Sequence, residues 1–255
     1  MEQAVPRKAL TWEILVVLGI SLGQSAIRAV VAIIERMTRP EPLGTQTTRM
    51  NTSTTPDRPW LDFIYQVMNT AFPLMPVVLV LFLLWIHHRP TGGGFRAMGF
   101  DFRKAGRDWL QGLGIFVAIG VAGLAFYLFA REIGINTNVM PANLAAAWWT
   151  VPILLARALM NGILEEVVMI GYLFERWRQM GRTMWHIVVI SAVIRGGYHL
   201  YQGWGGFIGN LVMGLAFGWL YLRIRRVMPL VIVHTLLDVF AFVGYALLSP
   251  YLTWL

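Results

Sequence analysis

The chain has no cysteine among its 255 residues. That excludes a structural disulfide and a thiol nucleophile. Charge is scarce as well: 13% of the residues are Asp, Glu, Lys or Arg, against about 25% in an ordinary globular domain. Acidic residues are the scarcer kind, 13 against 21 Lys and Arg, for a net charge of +8. A large soluble helical domain is excluded, because the long apolar runs would lack polar surface to cover them. The string Gly92-Gly93-Gly94 lacks the strand-turn-helix context and the lysine of a phosphate loop and is expected to be a plain turn. The N-terminus, MEQAVPRKALTWE, has no small-residue cleavage site after a short apolar core, so the first apolar run is expected to stay as an anchor. No HExxH string is present.

What is present is apolar. Hydrophobic residues make up 57% of the chain and the mean hydropathy is +0.60. Apolar runs fall at 12–34, 63–86, 110–130, 146–175, 184–201, 206–222 and 228–248. They predict an all-α, polytopic transmembrane helix bundle of seven or eight membrane segments, the count turning on whether 146–175 crosses once or twice. One integral membrane domain over 1–255 is expected, with a motif-bearing core at about 146–248. The stretch 35–60, rich in Thr, Pro and Arg, is expected to be a flexible loop. Its Asn51-Thr-Ser string is a formal glycosylation acceptor of a kind common by chance. Pro73 and Pro76 are expected to bend the second run, and Gly209, Gly214 and Gly218 to permit close helix approach in the sixth. Basic residues concentrate in the N-terminus and in the loops 87–109, 176–183 and 223–227, which places the N-terminus in the cytoplasm. Loop 35–60, with Arg36, Arg39, Arg49 and Arg58, is the exception. The positive charge is read as facing anionic lipid, not nucleic acid.

Ionisable residues inside apolar segments are expensive and mark function by default. They gather between Arg157 and Asp238. Arg157, Asn161 and Glu165 recur at a spacing of four and share one helix face. Glu166 points about 100° away on an ideal helix, so the two glutamates are expected to differ in role. His199 follows Gly196-Gly197-Tyr198, and His234 and Asp238 again lie four apart. His186 is expected at the interface, and His87 and His88 in a loop. Three functions remain open on these residues alone. One is hydrolysis of a peptide bond by an activated water, with Glu165, His199, His234 and Asp238 as catalytic candidates. The second is a divalent metal site, such as zinc, held by Glu165, His199 and His234. The third is a transporter or a non-enzymatic interaction protein that uses the same polar residues.

The strings LEEVVMIGY (164–172), SAVIRGGYHL (191–200) and VIVHTLLD (231–238), in that order on three apolar segments, resemble the CPBP family. That family contains CAAX prenyl endopeptidases and bacteriocin-processing intramembrane proteases. Its usual motifs are Glu-Glu-x-x-x-Arg, Phe-x-x-x-His and His-x-x-x-Asn or Asp. Here Ile170 stands in place of the arginine and Arg195 in place of the aromatic, while His234-x-x-x-Asp238 is intact. The resemblance spans roughly 105–248. It implies an intramembrane endopeptidase, a possible metalloprotease by family habit, acting on a membrane-associated or lipid-modified peptide in a prokaryotic plasma membrane. Glu165 would activate the water, His199 would position it, and His234 with Asp238 would stabilise the oxyanion. Glu166, Arg195, Arg157 and Asn161 would support the site. The two departures suggest one exchange, in which Arg195 replaces the missing arginine as the partner of Glu166. They also keep a non-enzymatic, immunity-type protein as the rival reading.

Overall fold

The computed structural model describes residues 5–87 and 94–249. The Gly92-Gly93 turn and His88 lie outside these. Helices α1 (Arg7–Gly19) and α2 (Leu22–Met37) come first, followed by strand β1 (Thr47–Arg49), α3 (Pro59–Ala71), α4 (Met75–His87), the short α5 (Gly94–Ala97) and the long α6 (Ala105–Glu132). Strand β2 (Asn138–Met140) precedes α7 (Thr150–Glu165), a π-helical segment (Glu166–Tyr172) and α8 (Leu173–Gln179). The chain closes with α9 (Met184–Tyr198), α10 (Trp204–Ile224) and α11 (Met228–Leu248).

The bundle is all-α in its body, but the expected seven or eight membrane segments are not there. Among the described residues four helices are long and apolar enough to cross a membrane: Pro59–Ile86, Ala105–Glu132, Trp204–Ile224 and Met228–Leu248. A fifth is added if α1 and α2, bent by 52° at their break, count as one span. Two of the predicted runs fail for physical reasons. The run 184–201 yields a helix of only 15 residues, about 22 Å long at 1.5 Å per residue, against a hydrocarbon core of about 30 Å. The run 146–175 is divided among α7, the π segment and α8, and carries Arg157, Glu165, Glu166 and Glu175. Apolar composition marked these segments as membrane-embedded, and composition does not measure helix length. The protein is nonetheless integral to the membrane by its four to five apolar spans.

Proline shapes the second run as a three-residue 3-10 turn, Phe72–Leu74, between α3 and α4, since Pro73 has no N–H for the helix ladder. The stretch 35–60, read as a flexible loop, carries a 3-10 turn (Leu43–Thr45) and β1. β1 pairs in parallel with β2, Thr47 opposite Asn138 and Arg49 opposite Met140. Composition hid this pairing because the partner strand lies some ninety residues away in sequence, beyond any local pattern.

The π segment lies at the centre of the bundle. All seven of its residues are buried, and Val167, Val168, Met169 and Ile170 have no exposed surface. α7 packs along α11 and α9 along α10. Small residues set both approaches. A Cβ on Gly162 would lie 2.5 Å from Thr235 Oγ1, and one on Gly214 would lie 2.8 Å from the Ala192 Cα, so neither neighbour could sit so close to a larger side chain.

Candidate active site

Three elements deliver the polar groups. The end of α7 and the start of the π segment bring Glu165 and Glu166, α9 brings Arg195 and Tyr198, and α11 brings His234 and Asp238. On an ideal α-helix two adjacent residues diverge and one would turn away from the site. Here the helix widens at Glu166, as π turns do where an extra residue locally under-winds a helix. Both glutamates are consequently buried and both meet the same partners.

Glu166 Oε1 accepts from Arg195 Nη2 at 2.6 Å and from His234 Nδ1 at 2.7 Å. Glu165 Oε2 accepts from the Tyr198 hydroxyl at 2.6 Å and lies 3.5 Å from Arg195 Nη1. Arg195 thus touches both carboxylates, as a planar guanidinium with several donors can. With Nδ1 turned to Glu166, His234 presents Nε2 to Glu165 Oε2 and Asp238 Oδ1, each at 3.9 Å. Asn161 Nδ2 donates to Asp238 Oδ2 at 2.7 Å and leaves Oδ1 toward the histidine. The pairing of Arg195 with Glu166 is the one expected from the two departures in the motifs.

Of the residues read from the sequence, Glu165, Glu166, Arg195, His234, Asp238 and Asn161 come together. His199 caps the C-terminus of α9. Its Nδ1 bonds the Arg195 carbonyl at 3.0 Å, so Nδ1 carries the proton and Nε2 is the acceptor of the neutral ring. Its ring lies 4.8 Å from that of Tyr198 and 6.2 Å from that of Tyr201, centroid to centroid. Arg157 binds elsewhere: Nη1 donates to Asn51 Oδ1 at 2.9 Å and Nη2 to Gln66 Oε1. Asn51, the formal glycosylation acceptor, has its amide engaged on both sides, since Nδ2 also donates to the Pro141 carbonyl at 2.7 Å. Tyr198 was missed from the sequence. Its one signal was its place beside His199, and a tyrosine in an apolar run reads equally well as core.

Among the described residues, Glu165, Glu166 and His234 offer ligand atoms that all lie within 4.8 Å of one another. The metal set expected from the sequence differs in one member, Glu166 here standing where His199 was named. The donors suit a divalent cation. Two carboxylates and an imidazole are a ligand mixture zinc accepts, and Glu166 Oε2 is buried without a hydrogen-bond partner. The cluster is therefore capable of coordinating such an ion.

Comparison with known proteins points the same way. Residues 147–240 match the family described as "Type II CAAX prenyl endopeptidase Rce1-like". The match holds α7, the π segment, α8, α9, α10 and the first half of α11, and so every residue of the cluster. No curated protein and no solved structure matches the chain.

Proposed function

We propose that this chain is an integral-membrane endopeptidase that hydrolyses a peptide bond of a membrane-associated or lipid-modified peptide, a reading supported by the match of residues 147–240 to the Rce1-like family of type II CAAX prenyl endopeptidases. The observation that carries the reading is the meeting of Glu165, Glu166, Arg195 and His234, from three separate elements, in the interior of an apolar bundle. Such a set is costly to bury and persists where it has work to do.

Glu165 serves as the base. Tyr198 and Arg195 occupy its Oε2, which leaves Oε1 for the proton of the attacking water. His199, with Nε2 as its acceptor, orients that water. The water oxygen adds to the carbonyl carbon as Glu165 takes its proton, and the carbon–nitrogen bond breaks as the proton passes to the leaving amine. His234 and a protonated Asp238 donate to the developing oxyanion. Asn161 holds Asp238 in place for this through Oδ2. In the alternative in which Glu165, Glu166 and His234 Nε2 would hold a divalent metal, that metal would supply the Lewis acid and lower the pKa of its water, and it would replace the donation of His234 to the oxyanion. Glu166 and Arg195 fix the tautomer and tilt of the His234 ring.

The basic residues Arg7, Lys8, Arg176 and Arg223 support a cytoplasmic N-terminus. The activity is tested with purified protein in detergent and a lipid-modified peptide library, with and without chelator. E165Q is expected to abolish cleavage, and full activity in that variant sinks the base assignment. A folded wild-type chain that cleaves nothing under either condition establishes the non-enzymatic reading, in which the cluster only ties helices together.

A further inference from the structure

We propose that Glu13, on α1, is a positioning residue for the active site: through Tyr172 it fixes the far end of the π segment and so keeps Glu166 on His234. This rests on the reading of that cluster as the reacting centre.

The π segment is tied at both ends by polar contacts to other helices. At its start Glu166 meets Arg195 of α9 and His234 of α11. At its end the Tyr172 hydroxyl donates to Glu13 Oε1 at 2.8 Å. One turn further on, Arg176 Nε donates to the same oxygen at 2.7 Å, and its guanidinium lies 5.5 Å from the Tyr172 ring centroid. Tyr172 and Arg176 are wholly buried. Between the two ends Val167, Val168, Met169 and Ile170 are apolar and packed in the core. Apolar burial is non-directional, whereas a hydrogen bond weakens steeply with misalignment. The ends of the segment, more than its middle, therefore select its register.

A π turn needs such selection. It is a rare form of helix, found mostly as a single widened turn. Relaxation to an α-helix would remove the extra residue and rotate one end against the other by about 100°. While both ends are held, that rotation is opposed from two sides. With Tyr172 released, only the contacts of Glu166 itself oppose it, and the Glu166–His234 contact is no longer fixed. Helix α1 can impose the position because it is itself anchored. Leu10, Ile14 and Val17 lie buried in the main core on either side of Glu13. This tether also reaches the site from outside residues 147–240, the part of the chain that matches the family.

The test reads the His234 ring directly, in the full chain in detergent. The Nδ1 proton shared with Glu166 is expected as a far-downfield NMR signal, assigned by its loss in H234Q. Y172F cuts the link to the π segment and leaves Glu13 on Arg176; E13A removes both contacts. Each is expected to shift that signal or broaden it away. E175Q breaks the Glu175–Arg178 pair on the neighbouring turn and is expected to leave the signal in place. In cleavage of a lipid-modified peptide, Y172F is expected to lose about tenfold in kcat, the worth of one hydrogen bond to a charged group, with KM unchanged. A signal unchanged in folded Y172F and E13A overturns the proposal, and so does its absence from folded wild type. An equal response in E175Q also overturns it, since that marks a general loosening of the bundle. If the signal responds as expected but wild type cleaves nothing, the tether stands and the endopeptidase reading falls.

Discussion

Arg195 Nη2 donates to Glu166 Oε1 at 2.6 Å, from the last turn of α9 to the first residue of the π segment. Both side chains are almost wholly buried, 1% and 0% exposed. The guanidinium therefore enters from a neighbouring helix, while position 170, four residues after Glu166, holds an isoleucine packed in the core. R195Q is expected to destabilise the fold by about 3–5 kcal/mol, the usual cost of leaving a buried charge alone. The double variant R195Q/E166Q should lose much less than the sum of the single variants. Denaturant unfolding in detergent measures both, and strict additivity would show that the two residues do not depend on each other.

Tyr198 donates to Glu165 Oε2, so Y198F removes one charge-assisted hydrogen bond at constant shape. A loss of about 1.5–3 kcal/mol in stability or in transition-state binding is expected. Thermal unfolding and kcat on a lipid-modified peptide are the readouts. A variant indistinguishable from wild type in both would show that the contact holds nothing.

Gly162 lets α7 lie against α11, and a Cβ there would meet Thr235 Oγ1 at 2.5 Å and the Val231 carbonyl at 3.0 Å. G162V should separate the helices, cost roughly 1–3 kcal/mol by overpacking, and move Asn161 away from Asp238. The comparison is G123V on α6, where an added Cβ meets nothing within 4 Å. Equal losses in the two variants would contradict a close approach specific to Gly162.

Asp101, in the loop before α6, and Asp108, in the first turn of α6, hold Arg226, with Nη2 at 3.1 Å and 2.6 Å from them. Burial pushes the Asp101 carboxyl up, but hydrogen bonds from Arg103 and Arg226 outweigh it and hold the group at about 2, below its ordinary 3.8. A depressed folded-state pKa means stability that is complete above the unfolded value and lost as pH falls through the folded one. Stability should therefore decline between pH 3.8 and about 2, and D101N should flatten that part of the curve. An unchanged slope in D101N would place the acid sensitivity elsewhere.

In the sequence alone the membrane character, the helical class and the buried ionisable residues between 157 and 238 were legible. Apolar runs and the cost of ionisable groups inside them act locally, residue by residue, so Glu165, Glu166, His234 and Asp238 stood out without a fold. The partnership of Arg195 with Glu166 was legible too, because a missing charge at Ile170 and an extra one at 195 are two halves of one balance. Three matters were decided only by the tertiary structure. The count of spans depended on where helices break, and the 52° bend after α1 and the 15-residue α9 are set by packing, not by composition. The convergence of both glutamates on one histidine depended on the π turn, whose extra residue defeats the 100° periodicity used to separate them. The partners of Arg157 came from Asn51 and Gln66, about a hundred residues earlier, and hydrogen bonds across such a distance leave no periodic trace in a chain.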